Sequence, residues 1–278
     1  MRAAGVAALL VLAWPATAHA ADYGGGTPAD SVRRAQRQLT IVGLRTATTG
    51  QARVWVKIAA RCGVGPATGP VTLNPDGTFA FRRTVRDRLG DGIRRTARIR
   101  MTGRVVGTAA TGTAVARLSF RRHGRVTAKC SSGTRTWQAR VAASLGAPAP
   151  ARPNAGYYGF TSQQAGRVWP LVLKVDATGR RITTAAFDYR HRCSSGKTYE
   201  LDNVTPGGAI AADGTFHLRE RFTLHYAEGN ERYRVAIDGR FATDGMTGSL
   251  SVRSVLRSRR GRVLDRCTTG QTTFAATP

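Results

Sequence analysis

The sequence predicts an all-β protein of two tandem antiparallel meander domains, each folding as a β-sandwich or a squat β-barrel and each carrying one disulfide. Three observations lead to this fold class. Short segments that alternate apolar and polar residues are separated by turns rich in Gly, Asp, Ser and Thr. The same turn and core motifs occur twice along the chain. The four cysteines divide as two per repeat, at equivalent positions.

The duplication is measured by the spacing of matching motifs. Both halves contain Asp-Gly-Thr-Phe, Thr-Gly followed by Thr or Ser, and Gly-Arg-Val. Three matching pairs are Asp76 with Asp213, 137 residues apart, Gly103 with Gly239, 136 apart, and Cys130 with Cys267, 137 apart. A separation this constant indicates that one domain was duplicated.

Residues 1–20 have the pattern of a secretory signal peptide. A basic residue, Arg2, precedes an apolar run from Ala3 to Trp14, which is too short to span a bilayer. Ala18-His19-Ala20 then offers a small-x-small cleavage site. An uncleaved membrane anchor is the alternative, but no later apolar run has spanning length, so no transmembrane segment is expected in the mature chain. We therefore expect a secreted, extracellular protein, or one held at the cell envelope.

A proline-rich stretch divides the rest of the chain. Residues 146–154 contain three prolines in nine positions, and this composition predicts an extended, fairly stiff linker. The first β domain then covers residues 21–145, and its internal repeat, the second β domain, covers residues 155–278. Each is long enough to bury a core of its own.

The four cysteines admit three pairings, and the duplication selects one of them. It joins Cys62 to Cys130 and Cys193 to Cys267, across 68 and 74 residues. A metal site of four cysteines and a redox-active thiol are the alternatives, but the sequence contains no CxxC. Disulfides also agree with export, because they persist in oxidising compartments.

The elements of the first domain follow in order. Asp22–Pro28 reads as a flexible start, and Asp30–Leu39 as a short helix with Asp30 or Ser31 as its N-cap. The predicted strands are Arg53–Ile58, Thr78–Arg83, Arg94–Arg100, Ala114–Arg121, Arg125–Cys130 and Thr134–Val141, with a loop or hairpin over Gly103–Thr111. Alternation turns Val54, Val56, Ile58, Phe79, Phe81, Ala97, Ile99, Met101, Ala116, Leu118 and Phe120 inward. Trp55 falls on the outer face.

The second domain repeats this plan. Its predicted strands are Tyr157–Thr161, Val168–Val175, Ile182–Arg190, Tyr199–Val204, Thr215–Tyr226, Glu231–Phe241, Ser249–Arg257, Val263–Cys267 and Thr272–Ala275. Pairing the first of these strands with the last would close a barrel and remove the exposed edges. The first domain shows no such opening strand, because Asp30–Leu39 takes its place.

The charge is strongly basic and unevenly divided. The chain has a net charge of +27, of which residues 21–147 carry +18 and residues 148–278 carry +8. A GC-rich genome would explain the preference for Arg over Lys, but not the shortage of acids in the first domain. Such a surface attracts polyanions at low salt.

The arginines form stripes that are the best candidate site. The hypothesised anion-binding residues are Arg82, Arg83, Arg94, Arg95, Arg98, Arg100, Arg121, Arg122 and Arg125, and in the second domain Arg257, Arg259, Arg260 and Arg262. Arg86, Arg88 and Arg117 belong to the same stripes. If neighbouring strands align these side chains, a cationic face results that suits phosphate or carboxylate polymers. The alternative is a solvated face that only keeps the protein soluble.

Other chemistry finds little support in the sequence. The histidines, His123, His191, His217 and His225, form no HExxH or other spaced metal set, and no GxSxG is present. The carboxylates considered for acid–base work are Asp188, Glu200, Asp202, Glu220, Glu228 and Glu231, whose spacing suggests no catalytic pair. The sequence therefore predicts no catalytic residue, no metal site and no cofactor. Few aromatic residues are left to stack on bases, so no sequence-specific nucleic-acid partner is expected.

With these motifs established, the chain resembles the secreted, disulfide-containing β domains found in exported actinobacterial proteins. The resemblance rests on the paired cysteines, Asp-Gly-Thr-Phe, and Cys-[Ser/Thr]-[Ser/Thr]-Gly before an aromatic residue, and it covers nearly the whole mature chain twice. These motifs are turns and core positions. The resemblance therefore implies a fold and an exported location, and it supplies no catalytic residue.

Three functional hypotheses follow. The first is a non-enzymatic, secreted protein that binds anionic polymers or surfaces of the cell envelope through its arginine-rich faces. The second is a lipocalin-like barrel that encloses a small apolar ligand behind Phe187, Phe216, Tyr233 and Phe241. The third is an extracellular hydrolase, which requires a cleft holding two converging carboxylates.

Overall fold

The computed structural model describes residues 20–89, 92–142, 146–163 and 166–278. All but the last residue of the predicted signal peptide therefore lies outside the described residues. The described chain forms two nine-stranded antiparallel sheets and one short helix, and each sheet is barrel-like and contains one disulfide. The predicted all-β fold of two tandem domains is confirmed.

The first sheet is built by the N-terminal half of the chain. Its strands are β1 (Ala21–Gly26), β2 (Thr40–Thr46), β3 (Gln51–Ala60), β4 (Gly63–Thr72), β5 (Thr78–Arg88), β6 (Ile93–Val106), β7 (Ala109–Arg122), β8 (Arg125–Ser131) and β9 (Arg135–Val141). The order across the sheet is β4-β3-β2-β1-β9-β7-β6-β5, and β8 pairs with β7. The helix α1 (Val32–Gln38) lies between β1 and β2, with Ser31 as its N-cap, as predicted.

The second sheet repeats this order. Its strands are β10 (Gly156–Thr161), β11 (Trp169–Val175), β12 (Ile182–Cys193), β13 (Thr198–Pro206), β14 (Thr215–His225), β15 (Gly229–Ala242), β16 (Gly245–Ser258), β17 (Val263–Thr268) and β18 (Thr272–Thr277). The order is β13-β12-β11-β10-β18-β16-β15-β14. β10 pairs with β18, so the strand pairing expected to close the barrel is present. β17 pairs with both β12 and β16 and completes the ring.

The disulfides tie the ends of distant strands together. Cys62, in the turn between β3 and β4, is bonded to Cys130 of β8, with their Cα atoms 6.0 Å apart. Cys193 of β12 is bonded to Cys267 of β17, directly opposite it in the ladder. Both predicted pairings are thus found. In the chain-entropy model, closing loops of 68 and 74 residues stabilises each domain by about 4 kcal/mol.

Each barrel encloses an apolar core built from the inward side of its strands. Ala97, Ile99 and Met101 of β6 are buried in the first core, as their alternation predicted. In the second core the corresponding strand β15 contributes Tyr233, Val235, Ile237 and Phe241. The long hairpin from β6 to β7 turns at Gly107 and carries strand pairing through most of the segment predicted as a loop or hairpin.

The predicted flexible start is a buried strand, and this prediction was wrong. Residues Ala21–Gly26 form β1, which pairs with both β2 and β9. Tyr23 is only 4% exposed and occupies the place that Tyr157 holds in the second barrel. The helix is therefore an addition to the first domain and does not replace its opening strand. The three consecutive glycines hid the strand because they show no alternation.

The two domains pack against each other through a third apolar cluster. It joins Ala35, Leu39 and Ile41 of the first domain to residues of the second, including Tyr158 and Val172. Thr184 donates its hydroxyl to the carbonyl of Ala29 across this interface, at 2.5 Å. The stretch predicted as a linker contacts the second domain, where Ala149 donates its N–H to the carbonyl of Phe241 at 3.3 Å.

Candidate anion-binding groove

Strand alternation places most of the arginines of β5, β6 and β7 on the outer face of the first barrel. Because successive side chains point to opposite faces, Arg94 and Arg98 face solvent while Ala97 faces the core. The ladder sets Arg98 directly opposite Arg117 of β7, and Arg94 directly opposite Arg121. Arginines of neighbouring strands are therefore aligned, as the hypothesis of a cationic face required. This alignment costs stability, because like charges that face each other across a ladder are destabilising.

These strands line a groove of about 940 Å³. Its basic residues are Arg86 and Arg88 of β5, Arg94, Arg95 and Arg98 of β6, Arg117 and Arg121 of β7, and Lys129 of β8. Asp87 is the one acid among the described residues of the lining. We call this set the cationic groove.

Arg95 differs from the other cations of the groove because it is already paired. Its guanidinium makes a forked contact with the carboxylate of Asp87, and its Nη1 donates to the carbonyl of Val64 at 2.7 Å. Arg95 thus joins β6 to β5 and β4. The other seven cations form no hydrogen bond or ion pair with any described residue. They remain available to an anionic ligand.

The remaining arginines of the hypothesis lie outside the cationic groove. Arg82 and Arg100 face each other on the same outer surface, farther along β5 and β6. Arg83 lies on the opposite side of β5, facing a cleft between the domains. At the β7–β8 turn Arg122 and Arg125 pair across the hairpin. In the second domain Arg257, Arg259, Arg260 and Arg262 occupy the equivalent β16–β17 hairpin, where Arg257 donates to the carbonyl of Gly261 at 2.9 Å.

Lys129 is the one groove cation that the sequence reasoning overlooked. It precedes Cys130, which is half-buried against the core, and it lies opposite Ser119 of β7. Strict alternation from the cysteine would have turned Lys129 outward, toward Arg117 and Arg121.

The second domain has a related outer face. Arg234 of β15 lies directly opposite Arg253 of β16 on one side and Arg221 of β14 on the other. Arg234 and Arg253 follow Arg98 and Arg117 by 136 residues each. Both repeats therefore carry the same unfavourable Arg–Arg contact at the same place in the ladder.

The carboxylates considered for acid–base work lie in several different places in the second domain. Asp188 is buried, while Glu200 and Asp202 lie two residues apart on β13 and share one wall of the cleft between the domains. Glu220 accepts hydrogen bonds from Asn203 and Thr205, and Glu231 from Tyr233 and Ser254. Asp202 and Glu200 of this wall are already in ion pairs, with Lys57 and Arg167 respectively.

Three of the four histidines considered for metal binding have local partners. The buried His191 contacts the carbonyl of Val252, His217 contacts Asp238 at 2.6 Å, and His225 contacts Asn230. Burial lowers the pKa of His191. Two groups of three potential metal-ligating residues occur, but each includes at least one sulfur of the Cys193–Cys267 disulfide, which is not a thiolate.

The four aromatic residues of the lipocalin-like hypothesis belong to the packed second core. Phe216 contacts Phe241 with ring centroids 5.3 Å apart, and Phe187 and Tyr233 are buried in the same cluster. The four cavities described for this chain are lined by other residues.

Comparisons with known proteins add no family. No protein-family model matches the chain, and no curated protein sequence matches it. The chain is similar to the crystal structure of kievitone hydratase from Nectria haematococca at 8% identity and a TM-score of 0.21, over 93% of this chain and 89% of that chain. A TM-score this low carries no argument. Within the described residues, no helix is both long and apolar enough to cross a membrane.

Proposed function

We propose that this protein is a secreted, non-enzymatic binding protein that holds linear anionic polymers of the cell envelope in the cationic groove. One observation carries the proposal: seven cations without a partner among the described residues converge on a single concave surface. Arginine suits this role, because its planar guanidinium makes forked contacts with phosphate and carboxylate groups.

The energetics of the ladder support the same function. Arg98 opposite Arg117 costs stability, and the second repeat retains the equivalent pair, Arg234 opposite Arg253. A merely soluble surface would gain from acids among these arginines, as happens where Arg219 meets Asp238 at 2.7 Å. A bound polyanion would relieve this repulsion. The two disulfides support an oxidising, extracellular location, where envelope polymers are found.

The experiment is a titration of labelled linear polyphosphate with the oxidised protein over a salt series. The groove variant is Arg98→Gln with Arg117→Gln. The matched control is Arg33→Gln with Arg37→Gln, which removes the same charge from exposed positions of α1. We expect the groove variant to bind about tenfold more weakly at low salt, which corresponds to about 1.4 kcal/mol. Its slope of log K against log salt should become shallower by up to about two units.

The control separates a site from general charge. If both variants lose the same affinity, the binding is spread over the whole basic surface and the groove is not a site. Binding that does not change between low and high salt would also contradict the proposal, because contacts with polyphosphate release counterions. Binding of the same variants to isolated cell envelope is then measured. If envelope polymers are the ligand, the wild type, the groove variant and the control should rank in the same order as with polyphosphate.

A further inference from the structure

A second cavity, of about 730 Å³, lies where the two domains meet. It is lined by β3, β4 and β5 of the first domain and by residues around Arg167 and Asp202 of the second. Its volume falls in the range of pockets for small organic ligands, which occur preferentially at domain boundaries. We call it the interdomain cleft. Arg95, which is already bound to Asp87, lines both this cleft and the cationic groove, but the two cavities share no other lining residue.

One wall of the cleft is an ordered row on β3. Arg53, Trp55 and Lys57 alternate along the strand, so they share its outer face. At about 3.3 Å per residue, Arg53 and Lys57 stand about 13 Å apart with the indole of Trp55 between them. Trp55 is only 7% exposed, with the guanidinium carbon of Arg45 5.9 Å from its ring centroid, and it is one of the residues that line the cleft. The row thus offers a cation at Arg53, an aromatic ring at Trp55 and a second cation at Lys57.

The polar end is held by a buried network of charges. Lys57 Nζ lies 2.8 Å from Asp188 Oδ1 and 3.2 Å from Asp202 Oδ1. Arg167 contacts the other oxygen of Asp188 and also Glu200. The guanidinium of Arg167 is stacked over Trp169, 4.2 Å from the ring centroid. Five charged groups from both domains are therefore fixed at one end of the cleft.

This network is asymmetric between the repeats. Lys57 and Asp188 each lie five residues before the first cysteine of their repeat, so equivalent positions carry opposite charges. Buried ion pairs contribute little to stability compared with apolar residues of the same size. Such an arrangement is better explained by a preorganised site than by a need to hold the domains together.

The other end of the cleft has free cations. Arg53 and Arg83 form no ion pair or hydrogen bond with any residue that the structure describes. The lining also includes the apolar side chains of Trp55, Pro66 and Val85. An anionic group would bind at the arginines, and a flat apolar body would lie on Trp55. A hydroxyl or amine at the far end would meet the acceptors of Asp202.

We propose that the interdomain cleft binds a small organic anion with a planar, apolar body. Such a ligand is distinct in size and in place from the polymers of the cationic groove. The recognition elements are the pair Arg53 and Arg83, the indole of Trp55, and the acceptor end at Asp202.

Anilinonaphthalene sulfonate is a suitable probe, because it combines a flat apolar body with one anionic group. Uncharged phenylnaphthylamine is the control ligand. The cleft variants are Arg53→Gln with Arg83→Gln, which removes the two free cations, and Thr68→Trp, which adds a bulky side chain to the cleft from the position beside Trp55 on β4. The matched control is the groove variant Arg98→Gln with Arg117→Gln. Probe emission is read on tryptophan excitation, which favours probe bound near an indole such as Trp55.

We expect one saturable site for the sulfonate probe, with affinity at least tenfold lower in both cleft variants and unchanged in the groove variant. Loss of binding in the groove variant alone would overturn the proposal, as would no binding to the wild type. Equal binding of the uncharged ligand, unaffected by Arg53→Gln with Arg83→Gln, would overturn the anionic specificity. Because the arginine variants change only exposed side chains, thermal unfolding should confirm that they fold. The polyphosphate titration reports on the groove independently.

Discussion

Single residues differ in this protein by whether their charge is already satisfied. Arg45 makes a forked contact with Asp22, at 2.6 and 2.8 Å, and Arg95 is bound to Asp87 in the same way. Arg98 and Arg117 have no such partner among the described residues. Net charge alone does not locate a site, because paired arginines count as much as free ones. The site is located by the arginines that have no ion-pair partner among the described residues.

Asp265 is a residue whose role can be measured by pH. Its carboxylate accepts hydrogen bonds from Ser194, from Ser195 and from the backbone N–H of Arg266, beside the second disulfide. Hydrogen bonds from Ser195 and Ser194 lower the pKa of Asp265 to about 2. The ionised form is therefore the one that stabilises the folded state.

We predict that Asp265→Asn lowers the free energy of unfolding by about 1 kcal/mol at neutral pH, a modest value because the group is largely solvated. A carboxyl whose pKa is lowered on folding stabilises the protein above its unfolded pKa. The difference between wild type and variant should shrink as the pH falls below about 4 and vanish only below pH 2. Thermal unfolding across this pH range measures it. A difference that stays constant down to pH 2 would refute the assignment to ionisation.

At the scale of elements, β1 shows how a strand is specified by its neighbours. A Cβ on Gly25 would lie 2.2 Å from the carbonyl oxygen of Gln138 on β9. The equivalent Gly159 would meet the carbonyl oxygen of Ala275 at 1.9 Å. The opening strand of each barrel thus approaches the closing strand at a distance that only glycine allows.

We predict that Gly25→Ala lowers the free energy of unfolding by about 3 kcal/mol or more, because the added methyl group meets backbone that cannot move aside. Gly69→Ala is the control, since its Cβ would meet only a ring carbon of Phe81 at 3.2 Å. Denaturant unfolding of both variants tests the difference. A Gly25→Ala variant as stable as the wild type would show that the two strands are not so close.

The strands also show which parts of the structure could be predicted from the sequence. Alternation correctly turned Ile99 and Met101 inward, because a two-residue period depends on local sequence alone. Alternation could not reveal β1, because this strand is held in place by pairing with β9, more than a hundred residues away. For the site, alternation grouped Arg98 with Arg100 on one strand. The register across strands, which selects Arg117 and Lys129 as neighbours, depends on pairing that no local pattern encodes.

At the scale of the whole molecule, the packing of the two domains creates a cleft and a network of charges that the sequence did not predict. The interdomain cleft exists only because β3 faces β13 across the boundary. Burial alone would lower the pKa of Lys57, but the carboxylates of Asp188 and Asp202 raise it above its ordinary value. Burial raises the pKa of Asp188, against the lowering effect of Lys57 and Arg167. Charged groups from both halves of the chain therefore act on each other in one network.

We predict that Lys57→Met lowers the free energy of unfolding by about 3 kcal/mol, because it leaves Asp188, only 1% exposed, with one cation fewer. Lys57→Met combined with Asp188→Leu should cost clearly less than the sum of the two single changes, with a coupling energy of about 1–3 kcal/mol. The control Lys197→Met, at an exposed turn, should stay within about 0.5 kcal/mol of the wild type. Calorimetry measures these values and also resolves whether the domains unfold together. Strictly additive single changes, or a Lys57→Met variant as stable as Lys197→Met, would mean that the network does not couple the two domains.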